Sequence, residues 1–560
     1  MTLTTVSVAG IESYQPAVDY RKSGRIGLLS ARNVAWDASG FYSGYASRLV
    51  DGTTQVGSNP FMVQSLDLKE DQHLVWKGNI IEFTPSSLNS PIGSLDQILT
   101  LPTLVDSNPA NIPYDYRKWT TAYLGADRYA CSYNYGVFRV DLTHLPDPTY
   151  TRLTSGSISG FPSDGTPVIA IAESNGRMLY LTKEAIYWSA PNDPENLVPA
   201  VGGPGFQVIN ERIGGTPFAM TATAQGAIIW TEVGGLVCEF IGGDFVFRFW
   251  VLATQALPIS SHAITRMPDD DYVILTRLGL FMFNNLSQPQ PIAPLFNEFL
   301  REYLRNKPTE VGHVWYSITD NRIYVAMRRP TSPFFETFAL EVMLDRWGVF
   351  NERHLGLVTY GPARGQFAYV SHLGIVSYFL SPLDARKNRE NETSPGTFIG
   401  LGASAEIGWI RAENLQASGD PVQELQEIII NRLIPFGLAT VTYEDEEFVV
   451  IADPDLFDEG FVDDPDPDIF DEGILTEDEA PTDYQLRVKT DLFNFDDLEN
   501  PGQTTSTIVP EIVNRGRFLD IWSCSASSAY FRLEFLATDP DEFFRVNSLD
   551  LTIAYNGQWN

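Results

Sequence analysis

Short runs of Val, Ile, Leu, Tyr, Phe and Trp alternate along most of the chain with Gly, Pro, Asn and Asp. Apolar runs of this kind, cut by turn formers, predict β-strands. Several recur as one phrase: a strand ending in Thr or Ser, a tight turn that usually holds Gly, and a second strand. MLYLT-KEA-IYW occupies 178–188, AIIWT-EVGG-LVCEF 227–240, YVILT-RLG-LFMF 272–283 and FAYVS-HLG-IVSYF 367–379. Weaker copies lie at 74–83, 129–140 and 322–327.

The phrases start near 73, 127, 177, 227, 271, 322 and 366, a spacing of roughly 44 to 55 residues. A hairpin repeated at that period cannot bury its own faces, whereas four-stranded units stacked around an axis can. The fold class read from this is all-β, a β-propeller of about seven blades (six to eight fit the spacing) with an additional antiparallel platform or sandwich domain. A large sandwich is the competing architecture, but sandwiches do not usually repeat at this period. Helical periodicity is convincing only in PLFNEFLREYLRN, Pro294–Asn306, where Phe296, Phe299, Leu300 and Tyr303 share one face and Pro308 follows as a stop. Leu295 and Leu304 fall at the same helical spacing, and the face predicts packing on a β core or docking of a partner.

Near Pro382 the pattern changes. Residues 1–60 read as an N-terminal arm with platform strands, 61–382 as the propeller, 383–397 as a polar linker, and 398–560 as a sandwich-like domain. Strands are expected in that last domain at 398–411, 425–433, 438–451, 486–493, 518–522, 530–537 and 549–555. An acidic loop, 444–499, interrupts them.

Across 560 residues, 44% are apolar and 19% charged, a globular balance with ample core. The three cysteines, Cys131, Cys238 and Cys524, are far apart, which argues against a disulfide framework or a CxxC zinc site. No Lys or Arg precedes Arg21 and no apolar run is long enough for a signal peptide or a spanning helix. The expectation is a protein without a membrane anchor, made and assembled in the cytosol. With 71 acids against 38 bases the net charge is −33, unfavourable for ordinary nucleic-acid binding or anionic lipid. Within 444–499 alone stand 22 acids and two bases, Arg487 and Lys489.

Catalytic patterns are missing from the sequence. The string nearest a nucleophile elbow, Gly156-Ser157-Ile158-Ser159-Gly160, has Ile at its centre. His73, His144, His262, His313, His354 and His372 show no metal-ligand spacing and read as surface or hydrogen-bonded residues. There is no phosphate-cradling or dinucleotide glycine loop, and no sialidase-type Asp-box repeat. A glycosidase carboxylate pair stays open, since any two blade carboxylates can converge. The reading is a non-enzyme with no cofactor and no metal.

The acidic loop carries a repeat of its own: DPDLFDEG at 453–460 returns as DPDIFDEG at 466–473. Asp453, Asp455 and Asp458, and their twins Asp466, Asp468 and Asp471, could gather calcium. Phe457 and Phe470, however, stand where an EF-hand loop needs an oxygen donor, and no Glu closes either loop in register. The favoured reading is a solvated acidic hairpin anchored by Phe457 and Phe470.

Several stretches resemble the tail nozzle, or tail-hub, proteins of short-tailed bacteriophages: ARNVAWDASGFYSGYASRLV at 31–50, IYWSAPNDPENL at 186–197, LPISSHAITRMPDDDYVILTRLGLFMFNN at 257–285, EVMLDRWGVF at 341–350, and the C-terminal YFRLEFLATDPDEFFRVNSLDLTIAYNG. The resemblance follows most of the chain as an order of strand phrases and carries no catalytic signature. It implies a structural virion protein of the tail, a homohexameric ring below the portal and its adaptor. Such a ring also meets tail fibre or tip proteins, closes the channel, then passes double-stranded DNA without reading its sequence. On that reading, part of the acidic loop faces the channel and repels the duplex. The rival expectation is a phage-borne or secreted propeller that binds or cleaves host surface glycans.

Overall fold

The computed structural model describes residues 3–8, 11–14, 26–37, 40–44 and 47–49, the strands between 63 and 100, and most of 103–360. Beyond that it describes strands between 366 and 411, and 428–436, 485–491, 503–508, 522–528, 530–537, 544–546 and 548–555. The chain divides into two compact units, 45–385 with 389–398, and 1–44 with 386–388 and 399–560.

The larger unit is a β-propeller. Its second blade is the antiparallel meander Thr120–Leu124, Asp127–Ser132, Gly136–Asp141, Thr149–Leu153. The third runs Ala170–Ser174, Arg177–Leu181, Ala185–Trp188, Gly205–Val208, and the fourth Pro217–Thr223, Gly226–Thr231, Gly235–Phe240, Phe247–Leu252. The fifth follows as Ile264–Arg266, Asp271–Thr276, Gly279–Asn284, Gln290–Pro291. The first blade, Val63–Lys69, Gln72–Lys77, Ile80–Pro85, Ile98–Thr100, has the same order. The second strand of each blade begins within a residue or so of one of the repeat starts read from the sequence.

Closure comes from one long strand and one short one. Arg346–Tyr360 ends the sixth blade, after Val311–Ser317, Arg322–Arg328 and Phe335–Glu341. Past a register shift at His354 it pairs with Gln366–Ser371 and becomes the inner strand of the seventh blade. That blade continues to Val376–Phe379 and is completed by Ser47–Leu49, from before the first blade. Thr359 also meets Gln64 in parallel, joining the seventh blade to the first. The stretch expected as an arm, 1–60, is therefore split: Ser47–Leu49 belongs to the propeller and the strands before residue 44 to the other unit.

Each core lies between blades rather than within one, as burial of amphipathic sheets requires. Tyr129 and Val137 of the second blade pack with Met178 and Tyr180 of the third. Leu179 and Ile186 pack with Ile229 and Leu236, and Ile228 and Trp230 with Tyr272 and Ile274. The hairpin turns share one device. Thr182, Thr231 and Thr276, all buried, donate through Oγ1 to the carbonyls of Ala185, Gly234 and Gly279 at 2.9, 3.1 and 2.8 Å. Ser371 ends the corresponding strand of the seventh blade.

The helix Pro294–Asn306 forms as expected. Phe296, Phe299, Leu300 and Tyr303 are buried, Phe299 stacking on Trp347 at 5.1 Å and meeting Phe338 edge-on at 5.1 Å. Its first amides, of Leu295 and Phe296, donate to the Asp345 carboxylate at 2.7 and 3.1 Å. The centre of the apolar face is used inside the propeller, whereas Leu295, at the first turn, is exposed and Leu304 is half-buried at its edge.

The smaller unit joins both ends of the chain. Leu3–Val8 pairs with Ser548–Tyr555 in a sheet continued by Ile428–Phe436 and Trp522–Ser528. A second sheet is ordered Gly27–Arg32, Ala403–Arg411, Tyr530–Ala537, Gln485–Asp491, Gln503–Ile508. Phe41 contacts Trp36, Phe535 and Phe544 at ring distances of 5.4, 6.1 and 6.3 Å.

Candidate functional site

The inner strands of successive blades run side by side: Thr120–Leu124 beside Ala170–Ser174, and Ala170–Ser174 beside Pro217–Thr223. Alternation along Pro217–Thr223 buries Ala219 and Thr221 and leaves Phe218, Met220 and Ala222 half-buried. These strands line an axial cavity of about 460 Å³ that is open to solvent. Asp115, Lys118 and Ser261 line it where the inner strands begin, and Tyr123, Glu173 and Arg266 where they end.

Lys118 is the unusual group. Its ammonium donates to the Ser261 carbonyl at 2.9 Å, and among the described residues no carboxylate forms an ion pair with it. Burial lowers its pKa to about 8 with no opposing charge. Ser261 is 2% exposed; its amide donates to Asp115 Oδ1 at 2.8 Å, while its buried hydroxyl has no protein partner. The Asp115 carboxyl is raised by burial, and the Ser261 amide opposes that shift.

Behind this rim His262 and His313 stack with centroids 4.4 Å apart and planes 16° apart. The Tyr114 ring lies 4.8 Å from His262, and its hydroxyl bonds to His313 Nε2. The Arg328 guanidinium sits 5.8 Å from the Tyr114 ring. His354, beyond Phe335, shares a 2.7 Å hydrogen bond with Thr337. Burial, with Lys118 nearby, holds both stacked imidazoles well below the ordinary histidine range. At neutral pH they are uncharged.

Three histidines read as surface or hydrogen-bonded thus differ in setting: His313 and His354 are buried and bonded, and His262 is half-buried in the stack. The sequence held a signal for the pair, since His262 and His313 stand 51 residues apart, close to the blade period. Lys118 and Ser261 had no such marker, because only closure of the blades brings them together. Among the described residues no group of three or more His, Cys, Asp or Glu could hold a metal. Cys131 and Cys238 are free and buried, with thiol pKa values raised by desolvation. The acidic residues Asp453, Asp455, Asp458, Asp466, Asp468 and Asp471, with Phe457 and Phe470, lie outside the described residues, as do His144 and His372.

No family model matches the chain, and no curated protein does. Among solved structures it is similar to virginiamycin B lyase from Staphylococcus aureus, at 12% identity over 59% of this chain and 97% of that one, TM-score 0.35. YCF48 from Cyanidioschyzon merolae matches at 9% identity over 59% and 98%, TM-score 0.35. The extracellular domain of the hybrid two-component system BT3049 from B. thetaiotaomicron matches at 10% identity over 93% and 61%, TM-score 0.40. None of these is a tail nozzle, and at such identities and scores they say nothing of what this chain does.

Proposed function

We propose that this chain is a structural subunit of a viral tail nozzle, a six-membered ring that closes the DNA channel before infection and conducts the genome at ejection. The observation that carries the proposal is the path of the chain. It begins in a β platform, builds a seven-bladed propeller, closes the seventh blade with Ser47–Leu49, and returns to pair its last strand with its first. A propeller inserted in the sequence between the strands of a platform domain is in keeping with the propeller-plus-platform build that the resemblance to nozzle proteins implies.

The size of the axial cavity supports an assembled channel. About 460 Å³ holds roughly 15 waters at about 30 Å³ each. A duplex, whose major groove alone is about 12 Å wide, has no room there. On this reading the DNA lumen forms between copies, and ring closure then needs two different complementary surfaces on each subunit. Portal or adaptor proteins meet one end of such a ring, and fibre or tip proteins the other. Net charge agrees with a conduit: at −33 per copy the ring repels a polyanion rather than gripping it through counterion release.

The test is to tag the chain, purify virions that carry it and image the tail. Sixfold density at the distal tail supports the proposal. A chain absent from virions that acts as a glycan-cleaving monomer overturns it in favour of the rival reading.

A further inference from the structure

We propose that one face of the propeller carries both halves of the contact between neighbouring copies of this chain. The loop tips of the third and fourth blades, around Val201 and Phe245, seat against the sixth-blade turn around Met343 of the next copy. The inference rests on the ring reading above and names the two surfaces that close the ring.

The blades are antiparallel meanders of one polarity, so the connections from third to fourth strand emerge on the same face, at its rim. These are 189–204 and 241–246 in the third and fourth blades, and 342–345 in the sixth. Val201 is 85% exposed, Phe245 79% and Met343 82%. Ile241 is exposed in the same turn as Phe245, and Leu344 and Leu295 beside Met343. The first two tips form one patch, since the Gly202 amide donates to the Asp244 carbonyl at 3.3 Å. The Met343 patch is held by Asp345, whose carboxylate takes the Leu295 amide at 2.7 Å. The equivalent turn of the fifth blade exposes Ser287 and Gln288 and tucks Leu286 against the core. Apolar exposure is therefore particular to these tips.

Charge, size and spacing favour a second copy as the cover. Residues 198–206 and 241–247 carry one charged side chain, Asp244, in a chain that is 19% charged. Such a surface fits an apolar counterpart, and a net charge of −33 disfavours an anionic bilayer in that role. The 342–344 stretch, Val-Met-Leu, is equally uncharged; Asp345 beyond it is engaged by the helix, and the next residue, Arg346, is opposite in sign to Asp244. Phe and Met are enriched at interface cores. The exposed side chains of the first patch present several hundred Å², the scale that marks an interaction surface. That supplies the apolar centre of a standard contact of about 800 Å² per partner. Seven blades stand about 51° apart, which puts the patches roughly 100–130° from one another around the axis. Within a six-membered ring the directions to the two neighbours differ by about 120°. A two-fold contact of the first patch with itself would leave Met343 uncovered.

Native mass spectrometry of the full chain, the V201D/F245D variant, the M343D variant and an equal mixture of the two variants tests the proposal. The wild type should assemble, and each variant alone should stay monomeric at concentrations at least about thirtyfold higher. The mixture should give a one-to-one heterodimer and nothing larger, because each variant keeps the half that the other has lost. Circular dichroism shows whether the variants fold; V201S/F245S or M343S replaces any that does not. Rings formed by either variant, a homodimer of M343D, or a mixture that stays monomeric overturns the inference while a wild-type ring leaves the ring reading standing. A wild type that is monomeric at every concentration overturns both.

Discussion

Thr120 Oγ1 accepts the backbone N–H of Ile171 at 3.0 Å, tying the inner strand of the second blade to that of the third. Fifty-one residues separate the two, and the same interval separates Thr265 from Tyr316, whose amide bonds to the Thr265 hydroxyl at 3.2 Å. The repeat period is thus also a stitch between neighbouring blades. Thr120→Val removes the acceptor and leaves the Ile171 amide unsatisfied, at a cost of about 1–2 kcal/mol. Urea unfolding of this variant and of T265V should show losses of that size, while T151V, on an outer strand, should change stability by less than about 0.5 kcal/mol.

The turn at Gly279 should tolerate no side chain. Its φ is +116°, and a Cβ there would lie 2.3 Å from Asn297 Oδ1. That oxygen accepts the Leu280 amide at 2.6 Å and ties the helix to the fifth blade. G279A combines backbone strain with displacement of the helix, and thermal unfolding should report a loss of about 2–4 kcal/mol.

Acid should loosen the propeller at the His262–His313 stack. Both native pKa values are depressed, so the unfolded chain binds more protons once pH drops below about 6.5. The stack's contribution is complete above that pH and is lost progressively below it, by up to about 1.4 kcal/mol per pH unit for each histidine. The groups that face the pair, Tyr114, Lys118, Arg117, Arg328 and His354, supply no carboxylate to offset the new charge. Denaturant titrations between about pH 7.5 and 5 should show a shallower slope in the H262N/H313N double variant than in the parent. Equal slopes would remove the stack as the cause.

Closure by Ser47–Leu49 should be required for a cooperative propeller. Replacing Ser47 and Arg48 together by Pro removes the ladder bond of whichever amide faces Val376–Phe379. The expected loss is about 1–3 kcal/mol, with proteolysis beginning in the seventh blade. Limited digestion followed by mass mapping checks it.

Much of this fold was legible because blades are local. A hairpin with a Thr-ended strand and a Gly turn is written within a dozen residues, as at 227–240. The helix was equally readable, since Phe296, Phe299, Leu300 and Tyr303 mark its buried face. Features that depend on distant partners were not. Ser47–Leu49 is three residues long with Arg at its centre, and only the edge offered by Val376–Phe379 makes it a strand. Gln503–Ile508, largely Thr and Ser, has no apolar alternation and so carries no strand signal of its own. Arg346–Tyr360 serves two blades, which a single strand phrase does not announce. The axial site was illegible for the same reason: Lys118 and Ser261 meet across 143 residues.

The acidic repeat makes a separate prediction from sequence. If part of 444–499 lines the exit of the channel, changing Asp453, Asp455, Asp458, Asp466, Asp468 and Asp471 to Asn should leave the ring intact and slow DNA ejection. Ejection kinetics at several salt concentrations decide it, because exposed charges act over roughly 8 Å at physiological salt. Unchanged kinetics would leave the loop as a solubility element.

Native mass spectrometry of the full-length chain, paired with electron microscopy of the same sample, tests the central claim most directly. A ring-forming nozzle subunit predicts a species near six times the 62.5 kDa protomer, seen end-on as a sixfold ring with an open or plugged centre. A stable 62.5 kDa monomer at every concentration, with no ring in the images, would contradict it.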